Sequence, residues 1–230
     1  MIGLSQGPAR WVYRLTTSNA QFARYAALLE DWNTKINLTR IPPELTWSHH
    51  FLDSLSVASA VSPAGNVLDV GTGAGFPGVV LKIAFPDITL TVLDSIKKKL
   101  GFITAVAQDL GITVTTLGER AEIAAHDARY RERFDLVTSR AVAELSQLLD
   151  WTLPFVKVGG KCVAMKGPAA QSELETAKAH IEQLGAKVVE CRPVAIPSTD
   201  LVHSLIIIEK ISATPPQLPK KGNVKKSREY

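Results

Sequence analysis

A chain of 230 residues with 46% hydrophobic and 21% charged side chains suits one large domain, or a domain with an appendage, around a sizeable core. No apolar run approaches the ~18 residues of a membrane span. The N-terminus, MIGLSQGPARW, lacks a charged-then-apolar leader pattern. Two cysteines, Cys162 and Cys191, make no disulfide framework. A soluble, cytoplasmic protein is expected. The formal charge is +4, and its placement is uneven: five of the 26 basic residues and one of the 22 acids fall in the last eleven residues, KKGNVKKSREY, which leaves the remainder neutral. A basic tail on a neutral body suits an anionic polymer, or simply keeps the chain soluble.

In chain order, Ser18-Asn19-Ala20-Gln21 reads as a capping box. Phe22, Tyr25, Ala26, Leu29 and Trp32 then follow helical spacing. After the loop NTKINLTRIPP, Pro43 is placed to open a second helix through WSHHFLDSLSVASAV. Residues 1–62 thus read as a helical extension. From Asn66 the pattern changes to apolar, β-branched runs separated by amphipathic stretches: NVLDV (66–70), ITLTVLD (88–94), ITVTTLG (112–118), FDLVTSR (134–140), GKCVAMK (160–166), KVVECRPV (187–194) and HSLIIIEK (203–210). PGVVLKIAF, IKKKLGFITAVAQDLG, ERAEIAAHDARYRER and AELSQLLDWTLPFVKVG lie between the first five, and a further helix is expected from about Ala170 to Leu184. Such alternation predicts an α/β fold with a parallel sheet covered on both faces. The last two strands are joined by AIPSTDLV without a helix and should pair antiparallel, for seven strands in all. Residues 63–212 form this expected domain. From Ala213 the proline-rich ATPPQLPKK predicts an extended, flexible tail over 213–230.

In open sheets of this kind ligands bind beyond the carboxyl ends of the strands. The first such corner reads VLDVGTGAGFPG (67–78). Gly71, Gly73 and Gly75 let the backbone approach a ligand, and Asp94, at the end of the second strand, is placed to accept both hydroxyls of a ribose. A G-x-G-x-x-G match exists but begins at Gly73. A dinucleotide fingerprint would begin at Gly71 and want glycine at position 76, where Phe76 stands. S-adenosylmethionine carries a ribose and no phosphate, and Asp69 suits its cationic amino acid moiety. Glu122 and Ala121 open the helix after the third strand, a corner suited to an adenine edge. An NAD(P)-dependent oxidoreductase and a non-catalytic RNA-binding module with the same fold remain as alternatives.

HHFLDSLS (49–56), LDVGTGAGFPG (68–78), LDSIKKKLGF (93–102), GERAE (118–122), SRAVA (139–143) and the strand end MKG (165–167) resemble the RsmG (GidB) family of 16S ribosomal RNA guanine-N7 methyltransferases, within the Rossmann-like class I methyltransferases. The resemblance runs from about Gln21 to Lys210. It implies S-adenosylmethionine held against Gly71, Phe76, Ala121, Glu122 and Arg140, and a guanosine in the 530 loop as target. The partner would be 16S ribosomal RNA or the small subunit, with the chain a monomer and no metal or membrane involved. The chemistry agrees. Guanine N7 offers a free lone pair, so no base need remove a proton. SRAVA lacks the Asn/Asp-Pro-Pro-aromatic motif of enzymes acting on exocyclic amines. Cys162 and Cys191, inside apolar strands, read as structural rather than as nucleophiles. Orientation then carries catalysis, with Arg140 at the cofactor or on the guanine. His49-His50 is a poor chelate, because neighbouring helical positions point apart. Lys97-Lys98-Lys99 opposes the dipole of the helix it begins, which suits attraction to RNA phosphates or a solvated face.

Overall fold

The structure, a computed structural model, describes residues 18–197 and 199–220; the basic stretch from Lys221 lies outside them. Helix α1 (Asn19–Asn33) starts at Ser18, which makes no side-chain capping bond, so the expected capping box does not form. Phe22, Tyr25 and Leu29 are its buried stripe. Pro43 opens a 3-10 turn (Pro43–Leu45). Where one helix was expected through WSHHFLDSLSVASAV, the chain makes a π-helical turn (Trp47–Leu52) and two short helical turns, Asp53–Leu55 and Val57–Ala60. The wider π turn carries His49 and His50 toward the sheet, and such turns recur at functional sites.

The sheet follows: β1 (Asn66–Val70), α2 (Gly78–Ala84), β2 (Thr89–Leu93), α3 (Lys97–Leu110), β3 (Val114–Leu117), α4 (Ala121–Ala124), β4 (Phe134–Arg140), α5 (Leu145–Thr152), β5 (Val156–Lys166), α6 (Ala170–Gln183), β6 (Ala186–Ala195) and β7 (Val202–Lys210). The strand order is β3-β2-β1-β4-β5-β7-β6. β1 to β5 are parallel, and β7 runs antiparallel to both β5 and β6. The predicted seven strands and antiparallel final pair are therefore present. The stretch ERAEIAAHDARYRER departs from expectation. Only Ala121–Ala124 is α-helical, and the chain then turns through Asp127–Arg131. The edge strand β6 carries Pro193 and a register shift between Val188 and Glu190, features that discourage pairing with another chain.

The apolar residues divide into two clusters, one on each face of the sheet. Phe22, Tyr25, Phe51, Phe76 and Phe102 belong to the first, together with sheet residues such as Val67, Leu90 and Val92. Tyr25 stacks on Phe51 and on Phe76, each at 5.5 Å between centroids. The N-terminal helix is therefore part of the domain's core: burying each such ring contributes roughly 1.5–3 kcal/mol. The second cluster joins α5 and α6 to Leu68, Val137, Ile206 and Ile208.

Residues 211–219 do not form the extended tail expected from Ala213. Arg131 Nη1 donates to Leu218 O (3.0 Å), and Nη2 donates to Thr214 O (2.9 Å) and Pro215 O (3.1 Å). Thr214 N donates to Glu132 Oε1 (2.7 Å), and His126 Nε2 lies 2.8 Å from Pro219 O. Leu218 is buried in the second cluster. Lys210, fully buried, donates to Leu153 O (2.9 Å) and to Thr214 Oγ1. Burial lowers its ammonium to about 8, while nearby Glu132 opposes that shift. The proline-rich segment is a strap across the foot of the second face: its carbonyls accept from half-buried Arg131, and its Thr214 hydroxyl meets the buried Lys210.

Candidate active site

The loop after β1 is held from below. Gly71 (φ 67), Gly73 (φ 58) and Gly75 (φ 95) are all left-handed. A side chain at Gly75 would collide with the Tyr25 hydroxyl, which donates to Ala74 O, and one at Gly71 would come within 2.5 Å of Val142 Cγ2. A Cβ at Gly73 meets only Gly71 O, at 4.0 Å, so that position faces open space.

Asp69 is not where the cofactor expectation put it. It is completely buried beneath the loop. Its Oδ2 accepts from Thr72 Oγ1 (2.6 Å) and Gly78 N (3.0 Å), and its Oδ1 accepts from Thr138 Oγ1 (2.9 Å). Both oxygens thus tie β1, the loop, α2 and β4 together. Burial raises its carboxyl to about 6 against the pull of those hydrogen bonds. Gly75 and Phe76 are likewise buried. Phe76 is stacked between Tyr25 and His50, 4.2 Å from the His50 ring, and does not line the cleft described next.

Two clefts open at the carboxyl ends of the strands. The first, about 380 Å³, is lined by Gly71, Asp94, Ile96, Lys99, Arg120, Ala121, Glu122, Ala141, Val142 and Trp151 among others. Gly71, Asp94, Ala121 and Glu122 are therefore brought together as expected. Gly73 borders the group, donating its N–H to Asp94 Oδ2 (3.0 Å), while Asp94 Oδ1 accepts from Ile96 N (2.8 Å). Each carboxylate oxygen keeps acceptor capacity to spare. Glu122, also buried, accepts from Arg120 Nε (2.6 Å). The amides of Ala121 and Glu122, first in α4, have no intrahelical acceptor, and both residues line this cleft. Two acids, open amides and a backbone clear of side chains fit a nucleoside with free hydroxyls. Sequence reasoning missed Trp151 and Val142, which arrive from α5 and the turn before it.

The second cleft, about 450 Å³, is lined by Ile41, His49, His50, Asp53, Arg140, Ala141, Met165, Lys166, Pro168, Glu173, Leu201 and His203, with Gly167 and Ala169. Arg140 lines this second cleft, beside Ala141, which lines both. Its Nη1 donates to Asp53 Oδ2 (2.7 Å) and His49 O (3.0 Å), its Nη2 donates to His50 Nδ1 (2.9 Å), and its guanidinium lies 4.9 Å over the Phe76 ring. His203 Nδ1 is 2.8 Å from Asp53 Oδ1. Burial alone would raise the Asp53 carboxyl; the His203 hydrogen bond and the Arg140 charge outweigh it and hold the group below its ordinary range. Burial, then the Arg140 charge, pushes His50 down to about 3, so it is neutral. Because Nδ1 accepts from Arg140, Nε2 carries the proton and donates to Thr39 Oγ1 (2.9 Å). His50 and Asp53 stand three residues apart, a spacing that puts two side chains on one helical face; that was the available signal for this half of the site.

Neither cysteine lines either cleft. Cys162 is buried as expected, and burial pushes its thiol to about 11; Cys191 is only half-buried, on the edge strand. Among the described residues no cluster of three metal-ligating side chains occurs, and no helix is long and apolar enough to cross a membrane.

This sheet order, with ligand-sized clefts above it, defines a class I methyltransferase fold. A solved ribosomal protein L11 methylase from Lactobacillus delbrueckii subsp. bulgaricus superimposes with a TM-score of 0.52 at 17% identity, over 70% of this chain and 77% of that one. Residues 18–202 match the model of the GidB family, rRNA small subunit methyltransferase G, and the chain belongs to that family. It is 46% identical over 205 residues to ribosomal RNA small subunit methyltransferase G of Clostridium novyi (strain NT), covering 87% of this chain and 84% of the relative. The same-named protein of Thermoanaerobacter sp. (strain X514) is 42% identical over 225 residues, 96% of this chain and 94% of that protein. Family membership sets aside the NAD(P)-dependent oxidoreductase.

Proposed function

We propose that this chain transfers a methyl group from S-adenosylmethionine to N7 of a guanosine in the 530 loop of 16S ribosomal RNA, as the family resemblance implies. The observation that carries the reading is the meeting of the two clefts at Ala141, which lines both. A donor in one cleft and an acceptor in the other would then lie next to each other, as transfer between two bound groups needs. S-adenosylmethionine, when bound, supplies an electrophilic methyl on a sulfonium sulfur. The spare acceptor capacity of Asp94 would hold its ribose hydroxyls. The open amides of α4 and Glu122 would hold its base edge, with Gly71 and Gly73 giving it room.

The second cleft has apolar walls in Ile41, Met165, Pro168 and Leu201, suited to a base lifted from its stack. Arg140 spends three N–H groups on Asp53, His49 and His50. A guanidinium has five, so two remain to meet an acceptor-rich base edge. His50, with Nδ1 accepting from Arg140 and Nε2 carrying the proton, has no lone pair free to act as a base, and guanine N7 has no proton to give. Lys97 and Lys98, exposed beside the first cleft, suit flanking phosphates. The test is transfer of labelled methyl from the cofactor to small-subunit RNA. One N7-methylguanosine site, found by reduction and aniline cleavage, is expected. A methyl found only on an exocyclic amine, a ribose or carbon 5 overturns the mechanism, and RNA binding without any transfer makes the protein a non-catalytic module.

A further inference from the structure

The turn after β4 borders both clefts, and it is an unusual piece of backbone. Ala141 sits at φ 54, a conformation non-glycine residues adopt only when their surroundings impose it. On one side Val142 lies against Gly71, where even a methyl group would clash with it. On the other side the turn is gripped by an ion pair. Lys166, at the end of β5, is nearly buried and lies 2.6 Å from Glu173 on α6. Lys166 Nζ also donates to Ala143 O (2.7 Å), and Glu173 Oε2 accepts from Leu145 N (2.7 Å). The two charges thus take one carbonyl and one amide from the same short turn, leaving α5 to begin at Leu145.

We propose that Lys166 and Glu173 are positioning residues: a latch that fixes the Ala141–Leu145 turn and so keeps the two clefts aligned for transfer. Lys166 and Glu173 line the second cleft only, and neither lines the first. Losing the latch should therefore misalign acceptor and donor without emptying the cofactor cleft. Displacements of about 1 Å cost ~10²-fold in rate, and loss of an orienting partner typically costs ~10–100-fold.

The inference rests on the methyltransferase reading above, and its test separates the two. Lys166→Met and Glu173→Gln are each expected to lower kcat on small ribosomal subunits by ~10–100-fold, with cofactor affinity within ~2-fold of the parent. The double variant should be no worse than the worse single one, because the pair acts as a unit. Hydrogen exchange supplies a readout independent of activity: amides of Ala143 and Leu145 should exchange faster in both variants, while those of Gly71–Phe76 keep their rates. Failure of the parent protein to transfer methyl at all sinks the functional reading and leaves exchange to judge the latch. The latch is overturned by unchanged exchange at Ala143 and Leu145. It is also overturned by a Glu173→Gln enzyme at full rate beside a Lys166→Met enzyme altered only in acceptor KM, which would put Lys166 on the RNA itself. A parallel loss of cofactor affinity and rate overturns it too, since the pair would then support the domain at large.

Discussion

The cleft above β1, β2 and β3 takes its ligand-facing groups from the ends of three strands in succession: Gly71, Asp94, Ala121 and Glu122. The cleft above β4 and β5 gathers His49, Asp53, Arg140, Lys166 and His203 from across the chain. The first is built largely of backbone, positive φ angles and acids that keep lone pairs free. The second is built around two ion pairs, Arg140 with Asp53 and Lys166 with Glu173. Backbone tolerates little change of residue but holds its shape without help. Paired charges hold their shape only while every partner is present, because a buried charge left alone costs several kcal/mol.

The contrast can be broken experimentally, and the largest expected effect is at Gly73. Gly73→Val puts a β-branched residue at φ 58 and a side chain into the open space above the loop. Cofactor binding by calorimetry should vanish while circular dichroism shows a folded protein; ordinary turnover would mean the loop is only a turn. Arg140→Ala should fail differently. It strips a partner from the buried Asp53 and should cost about 3 kcal/mol of stability, tempered because His203 still faces that carboxylate. That corresponds to a fall in Tm of roughly 6–12 °C. Methyl transfer should be lost with cofactor affinity largely kept. A variant that binds cofactor poorly but melts normally would return Arg140 to the first cleft.

Asp94→Ala should weaken cofactor binding by ~2–3 kcal/mol, the range for charge-assisted hydrogen bonds, and unaltered affinity in calorimetry would remove Asp94 from the site. Asp69 sharpens the contrast, since it serves the same loop from beneath. Its folded carboxyl titrates at about 6, above the ordinary carboxylate value of 3.8. A raised acid favours the folded state fully only below the unfolded value, and that benefit is lost as pH climbs from about 4 to about 6, by roughly 3 kcal/mol. Asp69→Asn removes this term. Its stability relative to the parent, from denaturant melts, should therefore rise across that interval and level off above it, with cofactor affinity little changed. A flat difference, or a tenfold loss of cofactor affinity, would contradict the buried role. The smallest effect is expected from deleting residues 221–230, which carry Lys221, Lys225, Lys226 and Arg228. If these meet RNA phosphates, the log–log salt dependence of RNA binding should flatten by about 2–3 units at ~0.7–0.9 per contact, with cofactor binding unchanged. An unaltered slope leaves RNA attraction to Lys97–Lys99 and the body of the protein.

The same contrast explains what could be read in advance. Strand positions, the antiparallel final pair and the glycine loop follow from local patterns, and the structure contains them. Asp94 and Glu122 were legible because each sits where a strand meets a helix. Asp69 was misplaced because β1 is buried on both faces from Val67 to Val70, so no period-two alternation says which way a residue points. Arg140 and His203 each meet Asp53 only through the fold, over separations of 87 residues and more. The stretch after Glu122 looked helical throughout. Yet Arg131 and Glu132 are spent on the strap, a use no helical period encodes. Lys166 carried a signal that went unused: a lysine closing an apolar strand must find a carboxylate.

The strap also bears on the order of synthesis. Residues 211–219 are made after every strand of the sheet, yet Leu218 completes the second face and three of the four carbonyls bound by Arg131 belong to them. A nascent chain that has just finished β7 possesses all seven strands, both clefts' side chains and an unsealed underside. Domains tend to fold as units during translation. The second face is therefore expected to seal last, once the strap has followed β7 out of the exit tunnel.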